Sequence, residues 1–149
     1  MLFIKVYIAI DNVGGMMFNN RRQSQDRFLR EYLLKCCENC RLWINEYTAS
    51  QFEKPLPTNV LVDNKLLNKV GDDDSCFVEN LFLNEYRNKI EFLILFKWNK
   101  SYPSDMKLDI DLSNWKLLSC EEFAGYSHEV ITMEVWKNEE YKKQKRNYI

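Results

Sequence analysis

Two arginines and a nearby carboxylate form the first group of residues that could carry chemistry. Arg21 and Arg22 precede the longest predicted helix, and Asp26 lies in its first turn. Guanidinium groups beside the backbone N–H groups of a helix start can hold a phosphate or a carboxylate. Asp26 has a second explanation, because a carboxylate there offsets the positive end of the helix dipole. The pattern therefore indicates either an anion site or a stabilised helix start.

Cysteine and histidine residues are too few for a zinc site. Cys37 and Cys40 have the C-x-x-C spacing of a zinc half-site or a redox pair, but the chain has no second such pair and only one histidine. Both cysteines lie on or beside an apolar helix face, which favours core packing. His128 precedes the last strand, and we predict a histidine at the surface or at the start of that strand. The pattern therefore predicts neither a zinc hydrolase nor a histidine-dependent triad, and no bound metal is expected.

Two groups of aspartates could bind Mg²⁺ through their oxygen atoms. The first group is Asp72, Asp73 and Asp74, and the second is Asp105, Asp109 and Asp111. The spacing lacks the turn glycine and the terminal glutamate of a calcium loop. Solvated loop charge is the favoured interpretation.

These residues need a scaffold, and the pattern predicts strands that alternate with helices. Apolar runs predict strands at residues 2–10, 42–44, 60–62, 76–78 and 90–98. Ser24 is a good N-cap for a helix with an apolar face that extends to Cys40, and shorter helices are predicted at 48–52, 65–70 and 81–88. Such alternation indicates a mainly parallel sheet with right-handed crossovers.

The C-terminal part follows a different pattern. Residues 107–111, 115–118 and 130–137 are predicted strands with no helix between them, which is typical of antiparallel hairpins. The predicted fold class is α/β: a single domain with a central, mostly parallel eight-stranded sheet, about four flanking helices and a C-terminal antiparallel hairpin. The domain is expected to span residues 1–137, followed by a basic tail at 138–149.

Composition limits the class of protein. A chain of 149 residues with 46% hydrophobic residues can form one packed core. A net charge of −1 gives no basic field for nucleic acid, and no apolar run approaches the length of a membrane span. The start of the chain lacks a signal-peptide cleavage site, and five cysteines do not form a secreted disulfide framework. We therefore expect a cytoplasmic protein.

Read in order, the segments resemble the dihydrofolate reductase family along nearly the whole chain. Residues 6–15 resemble that family's opening strand and flexible active-site loop, and residues 54–62 resemble its proline-bearing approach to a strand. The C-terminal half is the closest match, at residues 102–103, 109–111, 115–117, 121–123 and 132–136.

The resemblance implies a cleft at the carboxyl ends of the strands, between the 11–23 loop and the long helix. Asp26 falls near the position of the acidic residue with which the family holds the pterin ring and supports its protonation, so Asp26 is the implied catalytic residue. The implied ligand-binding residues are Ala9, Ile10, Gly15, Arg21, Arg22, Phe28, Leu29 and Phe96. The implied cofactor-binding residues are Asn45, Val78, Glu79 and Asn80.

Departures from the family pattern change the expected function. Glu79 and Asn80 replace the paired glycines that let the cofactor's pyrophosphate approach the backbone, and Phe96 replaces a threonine. We therefore expect a divergent protein that binds a small planar or nucleotide-like ligand beside Asp26, with NADPH binding in the usual mode lost. An active NADPH-dependent dihydrofolate reductase is the first alternative.

A partner-binding module or a small nuclease is the second alternative. Residues 15–26 and 114–116 show a weaker resemblance to small bacterial proteins labelled ribonuclease Z.

Overall fold

The computed structural model describes residues 3–140, which contain ten strands, three α-helices and two 3₁₀ helices. The strands are β1 (Ile4–Ile10), β2 (Gly15–Phe18), β3 (Arg21–Arg22), β4 (Leu42–Ile44), β5 (Val60–Val62), β6 (Ser75–Phe77), β7 (Ile90–Lys97), β8 (Met106–Lys107), β9 (Trp115–Phe123) and β10 (Ile131–Asn138). The α-helices are α1 (Arg27–Cys36), α2 (Glu46–Ala49) and α3 (Leu66–Lys69), and the 3₁₀ helices are Asn84–Lys89 and Leu112–Asn114.

Seven strands form the central sheet in the order β5-β4-β6-β1-β7-β10-β9. The first five are parallel to one another, whereas β10 runs antiparallel to both β7 and β9. A second, antiparallel sheet has the order β3-β2-β8. The predicted fold class is confirmed, because the domain is mixed α/β with a mostly parallel sheet and a C-terminal antiparallel hairpin.

Strand β1 is buried because it lies inside the sheet and both of its faces are covered. Val6 and Ile8 point into a core that includes Leu66 and Leu67 of α3. Tyr7 points to the opposite face, which α1 covers. Since successive side chains of a strand alternate between faces, one nearly continuous apolar run supplies both layers.

Helix α1 packs one apolar stripe against the sheet. Leu29 and Leu33 are spaced four residues apart and are both buried. The helix begins at Arg27 and its N-cap is Asp26, not Ser24 as predicted, because the Asp26 carboxylate accepts the N–H groups of Phe28 and Leu29. It ends at Cys36 and does not reach Cys40, since Asn59 binds the carbonyl oxygens of Cys37 and Cys40 in the following turn.

Three sequence predictions about elements were wrong. The central sheet has seven strands and not eight, because the segment predicted at 107–111 contributes only β8 to the second sheet. Asp109 instead accepts the backbone N–H groups of Leu83 and Asn84, and the segment around it does not pair with a strand of the central sheet. Strands β2 and β3 were predicted as part of a loop. The predicted helix at 81–88 is the 3₁₀ helix Asn84–Lys89.

The predicted basic tail at 138–149 lies mostly outside the described residues. Asn138 belongs to β10, and its amide donates to the carbonyl oxygens of Arg87 and Ile90. None of the helices within residues 3–140 is long and apolar enough to cross a membrane.

The cysteines are all free thiols. Cys37, the C-cap residue of α1, is buried, and burial raises the pKa of its thiol to about 12. A thiol of this kind stays protonated at neutral pH and is a poor redox centre, which agrees with the packing interpretation of the C-x-x-C pair.

Candidate functional site

A hollow of about 420 Å³ lies beside the β2–β3 hairpin. Its lining residues are Phe18, Asn19, Arg21, Arg22, Gln23, Tyr102 and Pro103. Asn19 and Asn20 make the hairpin turn with positive φ angles of 51° and 60°, a conformation that asparagine tolerates well. The hairpin therefore exists because the turn residues suit it, although β3 contains only two residues.

Asp11 anchors this hollow to the end of β1. Its carboxylate accepts the N–H groups of Val13 and Gly15 on one oxygen, and the Gln23 amide and the Tyr102 N–H on the other, at 2.7–3.1 Å. Burial opposes ionisation, but the backbone donors lower the pKa of Asp11 below its ordinary value. One buried carboxylate thus fixes both walls of the hollow.

Gly15, a predicted ligand-binding residue, has a packing role in this arrangement. A Cβ atom there would lie 2.5 Å from the Gln23 amide nitrogen and 3.0 Å from Asp11 Oδ1. The close approach of Asp11 and Gln23 therefore requires glycine.

Arg22 joins the hairpin to α2 and to the segment after β6. Its guanidinium binds Glu79 through two hydrogen bonds of 2.9 and 3.2 Å and lies 4.3 Å from the centre of the Tyr47 ring. It also donates to the Tyr47 carbonyl oxygen at 3.0 Å, and the Arg22 N–H donates to the Tyr47 hydroxyl. The positive charge of Arg22 is therefore already paired with Glu79 and packed against Tyr47.

Three of the four predicted cofactor-binding residues gather at the carboxyl ends of β4 and β6. The Asn45 amide donates to Asn80 Oδ1 at 2.8 Å, and Glu79 beside them binds Arg22. Val78, the fourth, is fully buried and bonds Tyr7 through its backbone N–H. Asn45, Glu79 and Asn80 are thus close together in the structure, while contact of the four residues with a cofactor stays a prediction.

Asp26 lies at the junction of α1 and the loop between β9 and β10. One carboxylate oxygen accepts the N–H groups of Phe28, Leu29 and Tyr126. The other accepts the Ser127 N–H and hydroxyl, the His128 N–H and His128 Nδ1, all within 2.9–3.2 Å. Burial opposes ionisation, but the Tyr126 N–H and His128 bonds lower the pKa of Asp26 well below its usual range.

His128 lies just before β10 but is buried, so the prediction of a surface histidine was wrong. Only 3% of its side chain is exposed, and its ring stacks on Trp98 with centroids 4.5 Å apart. Besides the Asp26 bond through Nδ1, its Nε2 atom lies 2.9 Å from Ser24 Oγ and 3.2 Å from the Tyr102 hydroxyl. His128 thus links the start of α1 to a residue that lines the hollow.

The remaining predicted ligand-binding residues lie elsewhere. Ile10 and Leu29 are buried in the two cores, and Ala9 packs against the core on the α1 side. Phe96 is fully buried among aromatic rings, and Phe28 is half-exposed against the Tyr126 ring. The structure brings Arg21 and Arg22 together at the hollow, packs Gly15 against the lining residue Gln23, and connects Asp26 to the lining residue Tyr102 through His128.

Sequence reasoning missed Asp11, Gln23, Tyr102 and the partners of His128. Asp11 follows the first strand immediately, and a carboxylate at the end of a parallel strand is a usable signal. Nothing in the sequence indicates that His128 meets a carboxylate 102 residues away.

A second groove, which we call the α1 groove, has a volume of about 220 Å³ and contains Arg27, Arg30, Leu34, Phe52 and Leu56 among its lining residues. Arg27 pairs with Glu31, and Arg30 donates to Gln25. The α1 groove lies on the flank of α1 and provides a useful comparison for tests of the hairpin hollow.

No cluster of three or more metal-binding side chains is present between residues 3 and 140. The aspartates considered for Mg²⁺ bond their own surroundings: Asp74 binds Arg41, Trp43 and Gly71, and Asp105 accepts the Asn19 N–H. Asp74 is buried, so its interpretation as solvated loop charge was wrong.

Comparison with known proteins gives a structural match. No protein family and no curated protein matches the sequence. A dihydrofolate reductase from Enterococcus faecalis, solved in complex with NADP(H) and RAB-propyl, superposes with a TM-score of 0.62 over 91% of this chain and 95% of that chain. This chain has the dihydrofolate reductase fold.

At 9% sequence identity, the match to this dihydrofolate reductase establishes the fold alone. The predicted dihydrofolate reductase-like architecture is confirmed. The comparisons give no support to the resemblance to proteins labelled ribonuclease Z.

Proposed function

We propose that this chain binds a small planar or nucleotide-like anion in the hollow beside the β2–β3 hairpin. The observation that carries this proposal is the position of Arg21, which lines the hollow while its side chain makes no hydrogen bond or ion pair within residues 3–140. Arg22 is committed to Glu79, so Arg21 is the guanidinium that an anionic ligand can recruit.

The walls suit a planar group. Phe18, Tyr102 and Pro103 supply apolar and aromatic surface, while Asn19 and Gln23 supply polar edges. A pocket of this composition buries a ring and fixes its orientation with a few polar contacts. The free cysteines fit a reducing compartment, and we propose a cytoplasmic location.

Asp26 has a structural role in this proposal. Both carboxylate oxygens accept bonds from the chain, so direct contact with a ligand requires residues 126–128 to release at least one of them. Its assignment as the residue that acts on the ligand stays a prediction.

Thermal shift measurements with a defined panel test the proposal. We expect at least one of dihydrofolate, methotrexate and AMP to raise the melting temperature, because a ligand at 100 times its Kd stabilises the folded state by about 2.7 kcal/mol. Arg21→Ala should abolish that shift, whereas Arg30→Ala in the α1 groove should preserve it. If the shift survives Arg21→Ala and is lost in Arg30→Ala, the ligand occupies the α1 groove and the proposed site is wrong.

An NADPH-dependent dihydrofolate reductase is the alternative that the structural neighbour favours, since that enzyme was solved with NADP(H). The residues here fit a dinucleotide poorly. Glu79 lies where the resemblance places the paired glycines, and its carboxylate already binds Arg22 in a largely buried position. A pyrophosphate at this turn would meet a like charge.

NADPH binding provides the test between the two functions. We expect 1 mM NADPH to leave the melting temperature unchanged, because Glu79 opposes the phosphates and Arg22 is already paired. A clear rise in the melting temperature, together with oxidation of NADPH in the presence of dihydrofolate, would establish the reductase in place of our proposal. No observation within the described part of the chain favours a partner-binding module or a metal-dependent nuclease.

A further inference from the structure

Ser24, His128 and Asp26 are arranged as a hydrogen-bonded relay, although the sequence pattern predicts no histidine-dependent triad. Ser24 Oγ lies 2.9 Å from His128 Nε2, and His128 Nδ1 lies 2.9 Å from Asp26 Oδ2. Serine, histidine and a buried carboxylate in this order form the nucleophile, base and positioning group of serine hydrolases, and they are recognised by geometry and not by sequence order.

The surroundings fix the tautomer that such a relay needs. Asp26 accepts bonds from backbone N–H groups on both oxygens, so it is an ionised acceptor and His128 Nδ1 must be the donor to it. In the neutral imidazole, Nε2 then carries the lone pair and accepts the Ser24 hydroxyl proton. Stacking on Trp98 holds the ring in this orientation.

Ser24 stands next to the hairpin hollow. It follows Gln23, which lines the hollow, and its hydroxyl shares His128 Nε2 with that of Tyr102, another lining residue. Ser24 is partly exposed, whereas His128 and Asp26 are buried behind it. Ser24 is therefore the member of the relay that lies nearest to solvent.

We propose that Ser24 is a nucleophile activated by His128, with Asp26 as a positioning residue, and that this chain cleaves a small carboxylic ester bearing an anionic group. The choice of substrate rests on the proposed function, because Arg21 supplies the cationic contact. The nucleophile itself rests only on the geometry of the three side chains.

The reaction uses the ester and one water molecule. Ser24 Oγ bonds to the acyl carbon as its proton moves to His128 Nε2, and the proton then passes to the departing alcohol as the ester C–O bond breaks. Water next loses a proton to Nε2 and attacks the acyl-serine, and Nε2 returns that proton to Ser24 Oγ as the carboxylic acid leaves. Ester and water thus give acid and alcohol, with the protein unchanged.

Labelling by a neutral fluorophosphonate tests the nucleophile without reference to the hollow's ligand. The Ser24 Oγ–phosphorus bond forms as fluoride leaves, and mass spectrometry of peptides locates the adduct. We expect modification of Ser24, none in Ser24→Ala, and a rate about 10²-fold lower in His128→Gln. Ser113→Ala, which changes an exposed serine far in sequence from the relay, should label like the unaltered chain.

The outcomes distinguish this inference from the proposed function. The inference is overturned if Ser24 stays unlabelled in a chain that circular dichroism shows to be folded. It is also overturned if His128→Gln is labelled at the full rate of the unaltered chain.

A second experiment compares the hydrolysis of 4-nitrophenyl acetate with that of the mono-4-nitrophenyl ester of succinic acid. If both are cleaved through Ser24 but Arg21→Ala slows neither, the nucleophile stands and the anion site falls. A preference for the succinate ester that Arg21→Ala removes supports both.

Discussion

Replacing Asp26 by asparagine should lower the free energy of unfolding by about 2–6 kcal/mol, because at least two buried donors lose their acceptor at a cost of about 1–3 kcal/mol each. The carboxylate caps α1 and also holds residues 126–128, so a single side chain fixes two separate segments. An asparagine amide presents N–H groups to donors that need an acceptor, and those buried donors then lose their partner. Urea denaturation at pH 7 measures the change.

The same variant has a defined pH dependence. The Asp26 pKa lies below its ordinary value of 3.8 in the folded chain, so the carboxylate's stabilisation is fully present above that value and is lost as the pH falls toward the folded-state pKa. The stability difference between the unaltered chain and Asp26→Asn should therefore shrink when denaturation is repeated from pH 5 down to pH 2.

Asp111→Asn is the matched control. Asp111 also caps a helix, but it is exposed and accepts one N–H group, from Ser113. Replacing Asp111 should lower the free energy of unfolding several-fold less than replacing Asp26 does. Equal effects of the two variants, or a difference that grows at acid pH, would contradict the role assigned to Asp26.

The sequence predicts the central sheet well because its strands are short apolar runs between turn residues. The bounds of β4 and β5 match the prediction, at Leu42–Ile44 and Val60–Val62. Strands β2 and β3 escape prediction because a ladder of two to four residues leaves no measurable alternation. Their existence depends on the asparagine turn and on pairing with β8.

The candidate site is harder to predict because its parts are brought together by long-range contacts. Arg21 and Asp26 are identifiable from residue type and position beside a helix start. The position of Tyr102 in the same hollow as Arg21, and the bond between His128 and Asp26, depend on how the segments after β7 and β9 return to the start of α1. Residue types therefore indicate which groups can act, whereas the fold decides which of them meet.

Arg22→Met should lower the free energy of unfolding by about 3 kcal/mol, since removal of one partner leaves a buried charge uncompensated. Glu79 is 9% exposed and Arg22 is 18% exposed, so solvent cannot replace the lost partner. Because the desolvation cost disappears when both charges are removed, Arg22→Met/Glu79→Met should be less destabilised than Arg22→Met alone. Thermal and urea unfolding of the three variants measure this non-additivity.

Arg27→Met is the matched control for the Arg22 cycle. Arg27 pairs with Glu31 along α1, but the two side chains are 57% and 60% exposed. Exposed pairs one helical turn apart contribute about 0.3–0.5 kcal/mol, so this variant should change little. If the double variant at Arg22 and Glu79 proves as unstable as the sum of its single variants, the pair is not coupled. Arg22 would then stabilise the hairpin through Tyr47 alone, and Glu79 would be free to meet a ligand.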